Sequence, residues 1–266
     1  MKLCRFQPLV FAADALGAAQ HPAPAFGRIE GDAVRELSGD IFSERRESGR
    51  CWPLNQVKLL PPVTPSKIVC IGRNYREHAA ELGHDVPKYP LIFLKAPSAI
   101  IGPDEPIVLT PDSQRVDYEG ELAAVIGRAC SKIAAAEFAP CVLGYTCLND
   151  VTARDLQKLD VQFTRAKSFD TFCPLGPFIE TELDLRAATV ETYVNGQRRQ
   201  QAPVTEMIFP IGAIISWISR VMTLEPGDVI ATGTPAGVGP LHAGEVVEVV
   251  VSGIGTLRNP VVAAEM

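Results

Sequence analysis

Short apolar runs cut by glycine and proline turns make up most of this chain, and they predict strands more than helices. Residues 26–37 read as two short strands about the turn Glu30-Gly31-Asp32. Residues 42–50 are polar and charged, which predicts an exposed helix or loop. The run Leu60-Pro-Pro-Val-Thr-Pro65 predicts a stiff linker, because consecutive prolines favour extended backbone and cannot join a ladder. A boundary there divides a small β-rich N-terminal domain, 1–62, from a larger domain, 63–266.

Past the boundary, residues 67–72 and 91–95 read as short strands, the second carrying one lysine, Lys95. Between them Asn74 is placed to cap a helix of about two turns, with Glu77 as its capping-box partner and Gly83 just past its end. Residues 115–127 predict a strand, and 134–138 a short helix. Residues 141–148 predict a strand ending at Asn149-Asp150, and 152–159 have helical spacing. Asn195-Gly196 marks a hairpin over 190–199, to which no chemistry is assigned. Residues 206–220 predict a largely apolar helix with Trp217 in the core. The Gly-rich stretch 229–239 is neither a P-loop nor a dinucleotide fingerprint, and closing strands follow at 245–251 and 255–262.

Composition narrows the partners. The chain of 266 residues has a formal net charge of −6 and no basic run, which argues against nucleic acid and against an anionic membrane surface. The longest apolar stretch, 207–218, is too short to cross a bilayer. Asp14 cuts short the apolar run 8–13, so no signal peptide is expected. Seven cysteines without a Cys-x-x-Cys predict reduced core thiols in a cytoplasmic protein rather than a disulfide framework or zinc knuckle.

Candidate chemistry gathers on a few acids. Side chains two apart on a strand share a face, so Glu119 and Glu121 project together across Gly120. If both are buried, one is protonated or a cation lies between them. Hard oxygen donors suit Mg²⁺, Mn²⁺ or Ca²⁺, whereas the bland reading is the wet face of an antiparallel strand. Asp150, at a strand-to-helix junction, is either a helix cap or a third carboxylate for the pair. His78 and Glu81 share a helix face, as a surface ion pair or as a general-base dyad under a marginal helix that acts as a lid. Lys167 is either exposed or, near a metal, a cation for a carboxylate or enolate. Thr234 and the N–H groups of its loop could meet an anion.

Five motifs in order resemble the fumarylacetoacetate hydrolase family. They are Ile71-Gly-Arg-Asn-Tyr75 with His78 and Glu81, Asp117-Tyr-Glu-Gly-Glu-Leu122, Asn149-Asp-Val-Thr-Ala-Arg-Asp155, Ala166-Lys-Ser-Phe169 and Thr232-Gly-Thr-Pro-Ala-Gly-Val-Gly239. The resemblance runs from about Lys67 to Val262 and is nearest the shorter acylpyruvase and 2-hydroxyhepta-2,4-diene-1,7-dioate isomerase-like branch. It implies an α+β, mainly β fold: a mixed rolled β-sandwich with a small β-rich N-terminal domain, usually dimeric. It implies Mg²⁺ or Mn²⁺, with Ca²⁺ as a possible substitute, on Glu119, Glu121 and Asp150. It implies His78 and Glu81 as the water-activating dyad and Lys167 as the support of an anionic intermediate. Gln157 and Thr234 would hold the oxo acid, with Arg73 and Tyr75 at the hinge of the lid.

Three carboxylates against a divalent ion leave the expected site slightly anionic, with coordination positions free for a chelating 2-oxo acid. Carbon–carbon cleavage of an acylpyruvate through a metal-stabilised enolate is the expected reaction. Isomerisation or decarboxylation of a hydroxymuconate-type diacid or oxaloacetate uses the same site, and the dyad leans the expectation away from pure isomerisation. An oxo-acid-binding protein without turnover, and a structural β protein with scattered surface acids, are the remaining alternatives.

Overall fold

The computed structural model describes residues 1–9, 12–13, 19–20, 22–81, 83 and 85–264, and the chain is mainly β, in a mixed rolled sandwich as expected. Asp14, read as the end of the apolar run, lies outside the described residues. The main sheet runs Arg46–Pro53, Ala33–Ser38, Ala25–Glu30, Lys2–Pro8, Cys173–Glu180, Val142–Asn149, Gly120–Ile126, Val229–Ala231, Ile68–Gly72 and Leu91–Lys95. Val229–Ala231 lies parallel to Ile68–Gly72 and antiparallel to Gly120–Ile126, so the sheet is mixed. A second sheet is ordered Ile107–Leu109, Gly255–Ala263, Val246–Val251, Thr189–Val194 and Gln197–Pro203.

Gly120–Ile126 is buried along its whole length, and its side chains divide between two cores. Leu122, Ala124 and Ile126 pack with Val249, Val251 and Leu257 of the second sheet and with Ile214, Ile215 and Ile218 of the helix Ile211–Val221. Ala123 and Val125 turn the other way, towards Ile68, Cys70, Val229 and Ala231. A strand covered on both faces gains from apolar residues at every position, at about 1.5–3 kcal/mol for each large side chain fully buried. That is why the run after Glu121 is continuous rather than alternating.

Several local expectations give way to tertiary structure. Arg46–Pro53 is an exposed edge strand paired with Ala33–Ser38, not a helix or loop; an edge strand with a wet outer side has no need of an apolar pattern. The proline run is packed: Pro62, Val63 and Pro65 are buried. The N-terminal segment joins the main sheet where Lys2–Pro8 pairs with Cys173–Glu180, and Leu3, Leu37 and Ile41 share a core with Ile68 and Cys70. Glu206 closes a 3₁₀ turn, Val204–Glu206, residues 207–210 are not helical, and the α-helix begins only at Ile211. Proline disfavours helical backbone in the residue before it, here Phe209, so the helix cannot run through. Trp217 is half-buried and stacks on Tyr89 at 5.3 Å, outside the core. Six cysteines are buried as expected, but Cys51 is exposed, and all seven are free. Among the described residues no helix is long and apolar enough to cross a membrane.

Asn74 caps nothing. Its amide donates to Phe209 O at 3.1 Å and Thr232 O at 2.7 Å, and its Oδ1 accepts the Phe209 N–H at 2.8 Å. It therefore locks the segment before the helix Arg76–Glu81 to two loops distant in sequence.

Candidate active site

The central strand breaks at Glu119, between Val116–Tyr118 and Gly120–Ile126. The break is held by hydrogen bonds: Glu119 N–H donates to Asn149 Oδ1 at 2.9 Å, and Asp150 N–H donates to Glu119 O at 2.8 Å. Pairing of Gly120 with Asn149 then brings Asp150, at the end of the neighbouring strand, beside Glu119 and Glu121. One carboxylate oxygen from each of the three lies within 4.8 Å of the others, and all three residues are buried.

Three buried cations attend this cluster. Lys95 Nζ donates to Asp150 Oδ1 at 2.6 Å and to Val151 O at 3.1 Å. Lys167 Nζ bridges Glu119 Oε2 and Asp150 Oδ2, each at 2.7 Å. Arg154 reaches Glu119 Oε1 at 2.5 Å, Asp117 Oδ2 at 2.9 Å and Gln157 Oε1 at 2.6 Å. Burial pushes the Glu119 carboxyl up, but Lys167 and Arg154 more than offset this and hold it below the ordinary range. Burial likewise pulls the Lys167 ammonium down, yet Asp150 and Glu119 raise it further, so it stays protonated.

Glu121 is different. Its Oε2 accepts the Gly233 N–H at 2.7 Å, and among the described residues no cation pairs with it. Burial, with Asp150 and Glu119 close by, pushes its carboxyl well above the ordinary range. A buried carboxylate without a counter-charge, beside two more hard oxygen donors, is the donor set a divalent ion such as Mg²⁺ or Mn²⁺ fits. The slightly anionic site expected from three acids alone is not what forms. Lys95, Lys167 and Arg154 balance Glu119, Glu121 and Asp150, and Asp117 is shared by Arg154 and Arg115.

The cluster opens into a cavity of about 330 Å³, which His78, Lys167, Arg73, Gln157 and Thr234 also line. His78 is buried, and its Nδ1 lies 3.3 Å from Glu81 Oε2. The Glu81 carboxylate also accepts the Gly237 N–H at 3.1 and 3.2 Å. With Nδ1 turned to Glu81, Nε2 is the ring nitrogen left to act on a ligand. Arg73 reaches the cavity from a left-handed backbone, φ 56°. Tyr75 does not line it: the ring is buried beside a separate pocket with Glu206 and Met207, and among the described residues its hydroxyl has no partner.

Lys95 and Arg154 are functional neighbours to which the residue patterns assigned no role. A lysine closing the apolar run Leu91–Lys95 is itself a signal, because a buried ammonium needs an anion close by.

The family model described as Fumarylacetoacetate (FAA) hydrolase C-terminal matches residues 67–262. This chain belongs to that family. A second model, Rv2993c-like, N-terminal, matches residues 1–62. An oxaloacetate tautomerase of Bacillus subtilis is 43% identical over 225 residues, which cover 79% of this chain and 75% of that protein. The crystal structure of 5-carboxymethyl-2-hydroxymuconate delta-isomerase from Mycobacterium smegmatis superposes with a TM-score of 0.88 at 47% identity, covering 99% of this chain and 100% of that one. Maleylpyruvate hydrolase from Sphingobium sp. SYK-6, solved with manganese(II) and pyruvate, superposes with a TM-score of 0.79 at 30% identity over the full length of both chains. This fumarylacetoacetate hydrolase family member is thus similar to isomerases and hydrolases alike.

Proposed function

We propose that this enzyme acts on a 2-oxo dicarboxylic acid through its enolate, with keto–enol interconversion of an oxaloacetate-type diacid as the reaction. The observation that carries the reading is one cavity shared by the Glu119–Glu121–Asp150 cluster, the protonated Lys167 and the His78–Glu81 pair. Glu119, Glu121 and Asp150 would hold a divalent cation, which when bound polarises the 2-oxo carbonyl and so acidifies the adjacent carbon. His78 Nε2, its ring oriented by Glu81, takes the proton from that carbon while the 2-oxo oxygen takes one up from water to give the enol, and the same two transfers reversed give back the keto acid. Lys167 spends two N–H groups on Glu119 and Asp150, and its third is left for oxygen on which negative charge develops.

Charge supports a dianionic substrate. The cluster and its three cations are balanced, so a divalent ion leaves positive charge in the cavity, to which Arg73 and Lys158 add, and this favours a dicarboxylate. Likeness to an oxaloacetate tautomerase and to a hydroxymuconate isomerase supports proton transfer as the reaction.

A second reading, hydrolytic carbon–carbon cleavage of an acylpyruvate, is supported by the likeness to maleylpyruvate hydrolase. There His78 would take its proton from water. Turnover of oxaloacetate, acetylpyruvate, fumarylpyruvate and a hydroxymuconate-type diacid, each with and without Mg²⁺ or Mn²⁺, separates these readings. Fastest metal-dependent equilibration of oxaloacetate is expected. Faster cleavage of an acylpyruvate transfers the assignment to the hydrolase, and inertness towards all four removes both.

A further inference from the structure

We propose that Gln200, on a hairpin outside the cavity, is a positioning residue of the site, an inference that rests on the reading of that site given above. Gln200 is 1% exposed and lies in Gln197–Pro203 of the second sheet. Its Oε1 accepts the Gly120 N–H at 3.1 Å, and its Nε2 donates to Pro235 O and to Thr234 Oγ1, each at 2.7 Å. Gly120 N–H can only donate and Pro235 C=O can only accept, so these two backbone groups fix which way the amide points.

The polarity of Thr234 follows. It accepts from Gln200 and donates its one proton to Gly120 O at 2.9 Å. One lone pair is left, so its partner in the cavity must be a donor, such as an enol hydroxyl or a water. Gln200, Thr234 and the Gly120 peptide form a closed ring, and Gly120 sits between two of the three clustered acids. That ring has no room to slip: a Cβ at Gly120 would lie 2.0 Å from Thr192 Oγ1.

Gln200 also bears on the dyad. Pro235 leads to Gly237, which has φ +97° and lies so close to the hairpin that a Cβ would meet Arg199 O at 2.1 Å. Gly237 N–H is the group that holds Glu81, and at the other end of the loop Gly233 N–H holds Glu121. Gln200 grips the loop between these two contacts. It therefore sets the Thr234 hydroxyl and the Gly237 amide together, without touching a ligand itself.

Two variants test this. Gln200→Glu keeps an acceptor for the Gly120 N–H but, as a buried carboxyl with one O–H at most, makes no more than one of the two donations to the loop; Gln200→Met, neutral and of similar length, loses all three contacts. Hydrogen exchange of residues 232–239 is expected to quicken about tenfold in each, as loss of one or two hydrogen bonds implies. Mn²⁺ affinity, read by electron paramagnetic resonance, should stay within about threefold in Gln200→Glu, because the acids keep their own contacts. With oxaloacetate, KM should rise through Thr234 and kcat should fall through Glu81, each about tenfold. Wild-type exchange over 232–239, or wild-type KM and kcat beside a lowered melting temperature, would overturn the proposal and leave Gln200 a packing residue. Exchange needs no substrate, so it still decides the matter if no oxo acid is turned over.

Discussion

Gly233 donates its backbone N–H to Glu121 Oε2 at 2.7 Å, and that contact stands where the neighbouring acids have cations. Burial, then Asp150 and Glu119, push the Glu121 carboxyl well above the ordinary range, so a divalent ion must displace a proton to reach it. Mn²⁺ affinity should fall about tenfold per pH unit below the raised value, with about one proton released per ion. Calorimetric titration in two buffers of different ionisation enthalpy measures this. Affinity independent of pH from about 5 to 8 would contradict it.

The same shift sets how metal stabilises the fold. An unfolded glutamate titrates near about 4.3, and folded Glu121 titrates higher, so its contribution is fully present below about pH 4.3 and is lost as pH rises through the folded value. Glu119 runs the other way: its depressed carboxyl contributes stability above about pH 4.3, lost as pH falls through the lower folded value. Mg²⁺ should therefore raise the melting temperature more at about pH 8 than at about pH 5. At a hundred times its Kd the gain is about 2.7 kcal/mol, roughly 5–10 °C for a chain of this size. Glu119→Ala should abolish the rise, and a variant that keeps it would show that the ion binds elsewhere.

His78→Ala should keep Mn²⁺ binding and lose about 10²–10⁴ in kcat, the usual scale for removing a positioned acid–base group. Glu81→Gln should lose less, because the ring stays and only its orientation and basicity suffer. Full turnover in His78→Ala, by steady-state kinetics, would take the pair out of the chemistry.

Lys95→Met leaves Asp150 with one ammonium in place of two, and breaking a buried ion pair costs about 3–5 kcal/mol. Urea unfolding of the metal-free variant should show that loss. Saturating Mg²⁺ should recover part of it, since the ion supplies the missing positive charge. A loss unchanged by Mg²⁺ would mean that Lys95 serves packing alone.

What the residue pattern reveals depends on how far each partner lies along the chain. Glu119 and Glu121 are legible from a period of two, although Glu119 itself falls in the break between Val116–Tyr118 and Gly120–Ile126. His78 and Glu81 are legible from helical spacing, although burial of His78 is not. Asn74 carries a sound local cap signal that loses to partners 135 and 158 residues away. Gln200 is silent in sequence, because its contacts cross from one sheet to the other and no local rule relates an Asn-Gly hairpin to a distant loop. Tyr75 shares a motif with cavity residues, but after the left-handed Arg73 it lines a different pocket.

Lys2–Pro8 lies edge to edge with Cys173–Glu180, and Leu3 is wholly enclosed. Removing the first 62 residues would thus strip the protein of more than an appendage. It would leave unsatisfied peptide groups along a newly bared strand, next to a strip of oily surface. Such a rim invites pairing with other chains, so a shortened form should gather into aggregates before its catalysis could be assayed.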